Sequence, residues 1–328
     1  RQTDLIKDSL YKYSFVNFFP RANFRYNLGP QRRITFNYNG STRQPTLEQI
    51  QPIRENIDPL NIQIGNANLK QEFRHSFNLS FSDYKVLTSR NVYTSFFVNM
   101  VDNAISTSSV VDSVNRRTNQ YVNVDGNYNL NLWAGYWFKV KKLNMNIGAN
   151  GGLSAGKFHN YVNGLENINT NRNWNLRMDI WHEKDNKYVF RFAPAISRNY
   201  SRSSLRPDVI TKFWTSDSEI EGTVFLPWKL ELNSMATFSL RQKTDVFTND
   251  LNVVRWNAYL AKKFWKNNAG EIRFSVFDIL DQNIGFQRNA GSNFINENTY
   301  NTIRRYWMVS FTWNFSKNPA TAAGPAGQ

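Results

Sequence analysis

Near the C-terminal end of the chain, large apolar and polar side chains alternate without a break. One set of alternate positions carries Trp307, Val309, Phe311, Trp313 and Phe315. The other set carries Tyr306, Met308, Ser310, Thr312 and Asn314. A period of two predicts a β-strand, because successive side chains of a strand point to opposite faces. The apolar face is long and has aromatic residues at both ends, which is typical of a strand in a transmembrane β-barrel.

The same alternation recurs upstream, in runs near the length that a tilted membrane strand needs. The thirteen runs are 19–28, 33–39, 72–84, 91–101, 120–138, 143–155, 174–182, 188–200, 210–226, 230–241, 253–265, 271–277 and 306–315. Short connections follow the odd-numbered runs. Long polar segments follow the even-numbered runs, and they include 40–70, 102–117, 157–171 and 201–208. Outer-membrane barrels show this asymmetry, so the pattern predicts an all-β fold, a transmembrane antiparallel up-and-down β-barrel.

The order of the connections also predicts the direction of the closing strand, which descends from a long loop to the periplasm. Trp307, Trp313 and Phe315 are then expected to form the membrane girdle and the insertion signal of the last strand. Because bacterial barrels usually have an even strand number, thirteen runs predict further strands before Arg1. We divide the chain into the end of an extracellular loop (1–17), the C-terminal portion of a barrel (18–316) and a disordered periplasmic tail (317–328).

Composition agrees with this interpretation and excludes several alternatives. Aromatic residues make up 15% of the chain, and the mean hydropathy of -0.57 conceals the apolar face because that face alternates with a polar one. No cysteine is present, which excludes disulfides, thiolate metal sites and cysteine nucleophiles. The net charge of +15 is spread over loops and strands without a basic helix. We therefore expect basic rims and a basic lumen that face phosphate-bearing lipids or anionic solutes, and no nucleic-acid partner.

The first long segment, 40–70, and the residues that follow it to Glu72 resemble the extracellular loop of TonB-dependent receptor-like barrels. That family carries R-x-P-x-x-x-Q-L-x-P and then G-N-P-x-L-K-P-E before a strand. The matching residues are Arg43, Pro45, Pro52, Gly65, Asn66, Leu69, Lys70 and Glu72, whereas Ala67 and Gln71 replace two prolines. Phe18-Phe19-Pro20 and the segment 275–283 are also typical of the family. The resemblance implies a barrel of about 22 strands. It also implies an upstream half with a globular plug and an energy-coupling box.

Catalytic and metal-binding patterns are weak in this sequence. Gly152-Leu153-Ser154-Ala155-Gly156 matches G-x-S-x-G, but no helix follows it to build the strand–turn–helix elbow that a serine hydrolase needs. The histidines, His75, His159 and His182, lie on different strands or loops without metal-ligand spacing. We therefore predict that the chain is not an enzyme and that it holds no cofactor or metal.

Charged residues on the polar faces of the runs are the candidates for lining the lumen. They are Arg74, Arg191, Glu231, Arg241, Arg255 and Arg273. One interpretation is that they line a solute pathway or hold a plug. The alternative is that they are solvated residues or ion pairs of the wall, each of which contributes little.

Two principal hypotheses follow for the function. The first is an outer-membrane receptor and transporter, similar to TonB-dependent receptors, that takes up a specific nutrient. The second is a structural or interaction subunit of an outer-membrane complex without transport activity. The expected partners are the lipid bilayer and lipopolysaccharide, a TonB-type energy-coupling protein that binds an upstream part of the protein, and a surface lipoprotein. The expected location is the outer membrane of a Gram-negative bacterium.

Overall fold

The computed structural model describes residues 2–4, 9–11, 15–51, 54–55, 60–85, 88–114, 116–244, 252–290 and 295–315. In these residues one short α-helix, α1, spans Leu47–Ile50. The strands are β1 (Gln2–Asp4), β2 (Ser9–Tyr11), β3 (Arg21–Gly29), β4 (Arg32–Arg43), β5 (Arg54–Glu55), β6 (Asn61–Ile64), β7 (Glu72–Lys85), β8 (Arg90–Asp102), β9 (Ala104–Val111), β10 (Arg117–Val124), β11 (Asn127–Val140), β12 (Met145–Val162), β13 (Leu165–Lys184), β14 (Tyr188–Ala193), β15 (Ala195–Ser203), β16 (Arg206–Leu226), β17 (Leu230–Arg241), β18 (Val253–Phe264), β19 (Gly270–Phe277), β20 (Phe286–Ala290), β21 (Ile295–Thr299) and β22 (Tyr306–Trp313).

Most of these strands form one large antiparallel sheet, which we call the wall. Its order of pairing is β3, β4, β7, β8, β11, β12, β13, β14 with β15, β16, β17, β18, β19 and β22. β14 and β15 are two parts of one strand that Pro194 interrupts, because proline has no N–H to donate to the ladder. The next amide, Ala195 N, donates instead to Ser218 Oγ at 3.1 Å. The predicted all-β, antiparallel arrangement is confirmed.

The wall has an apolar outer face and a polar inner face. Side chains directly across a ladder point to the same side, and the register places Leu153, Trp174 and Trp214 together on the outer face. The neighbouring positions place Asn173 and Asn199 on the inner face. Many large apolar side chains of the outer face are exposed, as a lipid-facing surface requires.

Most of the buried apolar core lies outside the wall. Five of the seven buried apolar residues in the described part of the chain are Ile50, Ile62, Leu69, Ala104 and Val124. They belong to α1, β6, β9, β10 and the segments between them, which we call the extracellular cap. β6 pairs in parallel with β10, β10 forms a hairpin with β9, and β9 pairs in parallel with the top of β12. The cap is therefore a small folded layer that continues the wall at the end that the sequence predicts to be extracellular.

The two terminal strands of the wall differ from the strands between them. β3 pairs with β4, and β22 pairs with β19. Eight of the nine residues of β3 and seven of the eight residues of β22 are exposed. Trp307 and Trp313 lie on the apolar face of β22 as the alternation predicts, and Phe315 follows the strand with its ring 5.4 Å from that of Trp313. Trp265 also packs on Trp313, at 5.7 Å between ring centroids.

Several predicted loops are strands in the structure. The segment 157–171, predicted as an asparagine-rich loop, continues β12 to Val162 and resumes as β13 at Leu165, around the tight turn Asn163-Gly164. The predicted loop 201–208 shrinks in the same way to Ser204-Leu205, between β15 and β16. The strict alternation of short and long connections is therefore wrong at these two places. At 18 to 21 residues, β12, β13 and β16 are longer than the 9 to 11 residues that a membrane strand needs.

Two other predicted boundaries also change. The predicted polar loop 102–117 contains β9, and the predicted single run 120–138 is divided between β10 in the cap and β11 in the wall. The turn Asp125-Gly126 separates them, and Gly126 has a φ of 83°, which a residue with a side chain rarely adopts. The predicted tail 317–328 lies outside the described residues, and so do residues 1, 5–8 and 12–14 of the predicted loop 1–17.

Candidate functional site

The six predicted lumen residues all lie on the inner face of the wall, but the structure does not bring them into one site. Arg191 lies opposite Glu221, Arg273 opposite Ser310, and Arg255 opposite Thr237, all at inner positions of the ladder. Four of the six take part in charged clusters, and two line a cavity near the extracellular end. The alternation in the sequence therefore predicted that these residues lie on the inner face, and the structure shows which charged or aromatic groups most of them contact.

The first cluster surrounds Arg191 in the middle of the wall. Its two terminal nitrogens contact Asp179 Oδ1 at 3.0 Å and Glu219 Oε1 at 2.9 Å. Asp179 also accepts from Arg177 Nε at 3.4 Å. The three strands β13, β14 and β16 are thus joined by alternating charges. The charge of Arg191 is compensated within the wall, because two carboxylates lie in direct contact with it.

The second cluster surrounds Glu231, which is 8% exposed. Tyr259 donates its hydroxyl to Glu231 Oε1 at 2.7 Å, and Lys263 Nζ lies 2.5 Å from Oε2. The guanidinium of Arg273 lies 4.1 Å from the centre of the Tyr259 ring and forms an ion pair with Glu271 at 2.8 Å. Sequence reasoning missed Tyr259 and Lys263, although both share the alternate positions of Arg255 on β18.

The third group lies closer to the extracellular end. Arg241 stacks on Phe213, with its guanidinium carbon 4.3 Å from the ring centre. Arg255 is exposed and, together with Arg241 and Asp217, lines a cavity of about 400 Å³. A guanidinium over an aromatic ring is held in a fixed orientation by cation–π attraction. This group therefore presents an oriented cation to the lumen.

Amide side chains line a second cavity on the inner wall, of about 520 Å³. Its amides are Asn129, Asn131, Asn171, Asn173 and Asn199, and Arg241 with the ring of Phe213 also lines it. Asn173 donates to Asn199 at 2.8 Å and Asn131 donates to Asn129 at 3.1 Å, so the amides orient one another. An amide offers both donors and an acceptor without charge, which suits hydroxyl and amide groups of a neutral solute. This amide-lined cavity was missed from sequence, although asparagine occupies every second position of 127–131 and 167–175.

Glu72 of the predicted loop motif joins the wall to the extracellular cap. Its side chain is almost fully buried, and its Oε2 lies 3.2 Å from Arg74 and 3.8 Å from Arg43. Its Oε1 accepts from the backbone amide of Ile105 at 2.7 Å. The motif glutamate is therefore a connector between β4, β7 and the start of β9. Arg74, predicted to line the lumen, is one of its partners.

The remaining motif residues shape the cap. Thr46 and Gln49 form a capping box at the start of α1, and the Asn66 amide donates to Gln49 O at 2.7 Å. The Asn66 side chain donates to Tyr121 O at 2.9 Å, and the Lys70 amide donates to Asn123 Oδ1 at 2.8 Å. Pro45 and Leu69 are buried. Pro52 lies outside the described residues.

The tip of the β9–β10 hairpin depends on one carboxylate. Asp112 Oδ1 accepts from the amides of Arg116 at 2.9 Å and Val114 at 3.0 Å. The pKa of Asp112 lies below its ordinary value. The main cause is the hydrogen bond from the backbone amide of Arg116, and the amide of Val114 and the guanidinium of Arg116 lower the pKa further. Because the folded pKa is depressed, the tip gains stability above the unfolded pKa and loses it as pH falls through the folded pKa.

We therefore expect the amide resonances of Val114 and Arg116 to shift with a common midpoint below about 3.9, the ordinary value for aspartate. A pH titration followed by nuclear magnetic resonance measures this midpoint. The variant Asp112→Asn should show no such transition. A wild-type midpoint at or above the ordinary value would contradict the assignment of these hydrogen bonds.

The residues of the G-x-S-x-G match lie within one continuous strand. Ser154 lies in the middle of β12, and the strand continues past it to Val162 without a helix. His159 points to the outer face and pairs with Glu166 at 2.8 Å, whereas His75 pairs with Asp102 at 3.1 Å. Within the described residues, no group of three or more His, Asp or Glu side chains is placed to hold a metal ion. The described residues also contain no helix long and apolar enough to cross a membrane.

A long antiparallel sheet with an apolar outer face, a polar inner face and a folded extracellular layer defines an outer-membrane β-barrel type of protein. A model of the outer membrane protein beta-barrel family matches residues 2–204, and the chain belongs to this family. Its location is therefore the outer membrane of a Gram-negative bacterium, as predicted. No curated protein and no solved structure matched the chain.

Proposed function

We propose that the protein is an outer-membrane receptor and transporter that takes up a specific nutrient in the manner of TonB-dependent receptors. The observation that carries the proposal is the amide-lined cavity of about 520 Å³ on the inner wall. A wall that served only as a structural support would not need a continuous polar inner surface with a ligand-sized recess. The folded extracellular cap lies above the same wall and would select solutes before they enter.

Charge compensation elsewhere in the wall supports a polar solute with little net charge, such as an oligosaccharide or a peptide, although Arg241 adds one cation at the cavity. Arg191, Glu231 and Arg273 each have an oppositely charged partner within 3.0 Å. The opposite charges within the wall therefore largely cancel the electrostatic field that these residues would exert on a solute. The amide-lined cavity remains as a recognition surface, and the Arg241 guanidinium stacked on Phe213 lies at its edge.

The loop motif supports a role for an energy-coupling partner. The support comes from the resemblance of Arg43, Gly65, Asn66 and Glu72 to the loop of TonB-dependent receptor-like barrels. We propose that a TonB-type coupling protein acts through a part of the protein upstream of these residues. No catalytic step and no cofactor is assigned to the chain in this proposal.

A second function is favoured by one specific observation, the size and order of the extracellular cap. Five buried apolar residues give the cap a core of its own, which a simple connecting loop does not need. A rigid cap is a suitable platform for a stable protein partner such as a surface lipoprotein. In this second proposal the barrel is a structural or interaction subunit and transports nothing.

Uptake by cells that carry or lack the full-length gene distinguishes the two proposals. We expect the deletion strain to lose uptake of one member of a panel of labelled neutral oligosaccharides and peptides. Replacing Asn131 and Asn199 together by alanine removes two amides of the cavity and should weaken apparent affinity about tenfold. The matched control is Asn78→Ala, which removes an amide of the inner wall outside the cavity.

Unchanged uptake in the deletion strain across the panel, together with a lipoprotein that co-purifies at equal amounts, would favour the structural subunit. Equal loss of affinity in the Asn78→Ala control would show that the amide-lined cavity is not the recognition site.

A further inference from the structure

A group of cations lies on the outer, lipid-facing side of the wall, where the inner-wall function makes no use of it. We call it the outer basic patch. It consists of Lys157, Arg172, Arg198, Arg202 and Lys212, interleaved with the rings of Trp174, Tyr200 and Trp214. Four of these cations are exposed, and Lys157 is half-buried.

The register fixes the outward direction of the patch. Arg172 lies between Ala155 and Tyr200, and Lys212 lies on the far side of Tyr200. The next outward row contains Leu153, Trp174, Arg198 and Trp214. The cations therefore share a face with the exposed apolar side chains and not with the asparagines of the lumen.

The patch lies at the extracellular edge of the apolar belt. On β13, Arg172 is ten residues from His182, which lies near the end of the strand that is predicted to be periplasmic. That distance is about 33 Å along the strand, and about 25 Å along the membrane normal for a tilt of about 40°. The outward positions between them carry Trp174, Leu176, Met178 and Ile180. About 25 Å is the height of the apolar band of such barrels, so Arg172 lies at its upper edge.

The rings hold the cations in place around a recess. The Arg198 guanidinium lies 5.2 Å from the centre of the Trp214 ring, and Trp174 packs edge-on against Trp214 at 5.0 Å. Arg172 lies 5.8 Å from the Tyr200 ring. Together with Leu130 and Leu153 these residues line an outward cavity of about 450 Å³. One side of the recess is therefore apolar and the other is cationic.

The cations of the patch lack acidic partners from the chain. In the part of the chain that the structure describes, none of the salt bridges includes any of the five. Two acids lie nearby, but Glu166 is already paired with His159, and Asp208 lies at the start of β16. Exposed cations next to an apolar belt favour an anionic group that lies at the same depth in the membrane.

We propose that the outer basic patch binds the phosphate groups of lipopolysaccharide, the phosphorylated glycolipid of the outer leaflet. The guanidinium groups of Arg172 and Arg198 bind phosphate oxygens, and Lys212 adds a point charge. The apolar side of the recess, with Leu153 and Trp174, receives the upper part of an acyl chain. This site is independent of the lumen and of the proposed solute.

Native mass spectrometry of the purified full-length protein tests the proposal directly. The probes are bisphosphorylated lipid A and the same glycolipid with both phosphates removed. We expect the wild-type protein to retain the phosphorylated form at least about tenfold more tightly. The triple variant Arg172→Gln, Arg198→Gln, Lys212→Gln should lose this preference. The matched control Lys141→Gln, Lys142→Gln, Lys184→Gln has the same charge change at the periplasmic end and should keep it.

Equal retention of both glycolipids by the wild-type protein would overturn the proposal without any variant. Equal loss of binding in the periplasmic control would overturn it as well, because net charge and not the patch would then be responsible. Purification of the protein with a protein partner bound over the outer basic patch, in place of glycolipid, would also overturn the proposal. Heat-modifiable mobility in electrophoresis checks that each variant is folded. If the triple variant does not fold, the single variant Arg198→Gln is used in its place.

Discussion

Replacing Gly65 by alanine is expected to open the extracellular cap and to leave the strands of the wall paired. A Cβ atom at this position would lie 1.9 Å from Gln51 O and 2.8 Å from Glu48 O. Both contacts are with backbone, which cannot move aside as a flexible side chain would. The hydrogen bond from Asn66 to Gln49, 2.7 Å long, would be lost together with the close approach. We expect a cost of about 3 kcal/mol, at the upper end for overpacking.

Hydrogen exchange with mass spectrometry measures this effect separately in the cap and in the wall. Peptides that cover α1, β6 and β10 should exchange faster in Gly65→Ala, whereas peptides from β16 and β17 should be unchanged. Gly222→Ala is the matched control, because a Cβ there has no heavy atom within 4 Å. Unchanged protection of the cap in Gly65→Ala would show that its backbone does not pack as closely as described.

The alternation of side chains predicted the wall and its two faces from sequence, because a period of two leaves few alternatives. Asparagine misled the prediction at 157–171, since it favours turns in water-exposed chains. On the inner wall the same residue is satisfied by its neighbours. Asn167 is 1% exposed, donates to Asn160 at 3.0 Å and accepts from Ser203 at 2.5 Å. An asparagine-rich stretch in a barrel therefore needs to be tested for alternation before it is assigned to a loop.

The sequence indicates the helix of the extracellular cap but not the pairing of its strands. Thr46 and Gln49 have the spacing of a capping box, which predicts a helix start. The parallel pairing of β6 with β10 joins residues such as Ile62 and Thr118, which no local pattern relates. The same limit applies to the site. Alternation predicted that Arg191 faces the lumen, but its partners Asp179 and Glu219 lie on other strands and depend on register.

Replacing Glu231 by glutamine is expected to lower the free energy of unfolding by about 3 kcal/mol. The substitution keeps the shape of the side chain but removes the charge that balances Lys263, 2.5 Å away. It also weakens the acceptor of the Tyr259 hydroxyl. The ammonium group of Lys263, whose side chain is 33% exposed, would lose the carboxylate that compensates it. Urea unfolding in lipid vesicles measures the free energy.

A double-mutant cycle separates the pair from the rest of the cluster. Replacing Lys263 by methionine together with Glu231→Gln should recover about 2 kcal/mol, because neither charge then lacks a partner. Glu166→Gln is the matched control, since its partner is His159 and its side chain is half exposed; it should change stability by less than about 0.5 kcal/mol. A cost for Glu231→Gln as small as that of the control would mean that water in the lumen solvates the Lys263 ammonium group in place of the Glu231 carboxylate. The cluster would then be a solvated surface of the wall and would not join β17 to β18.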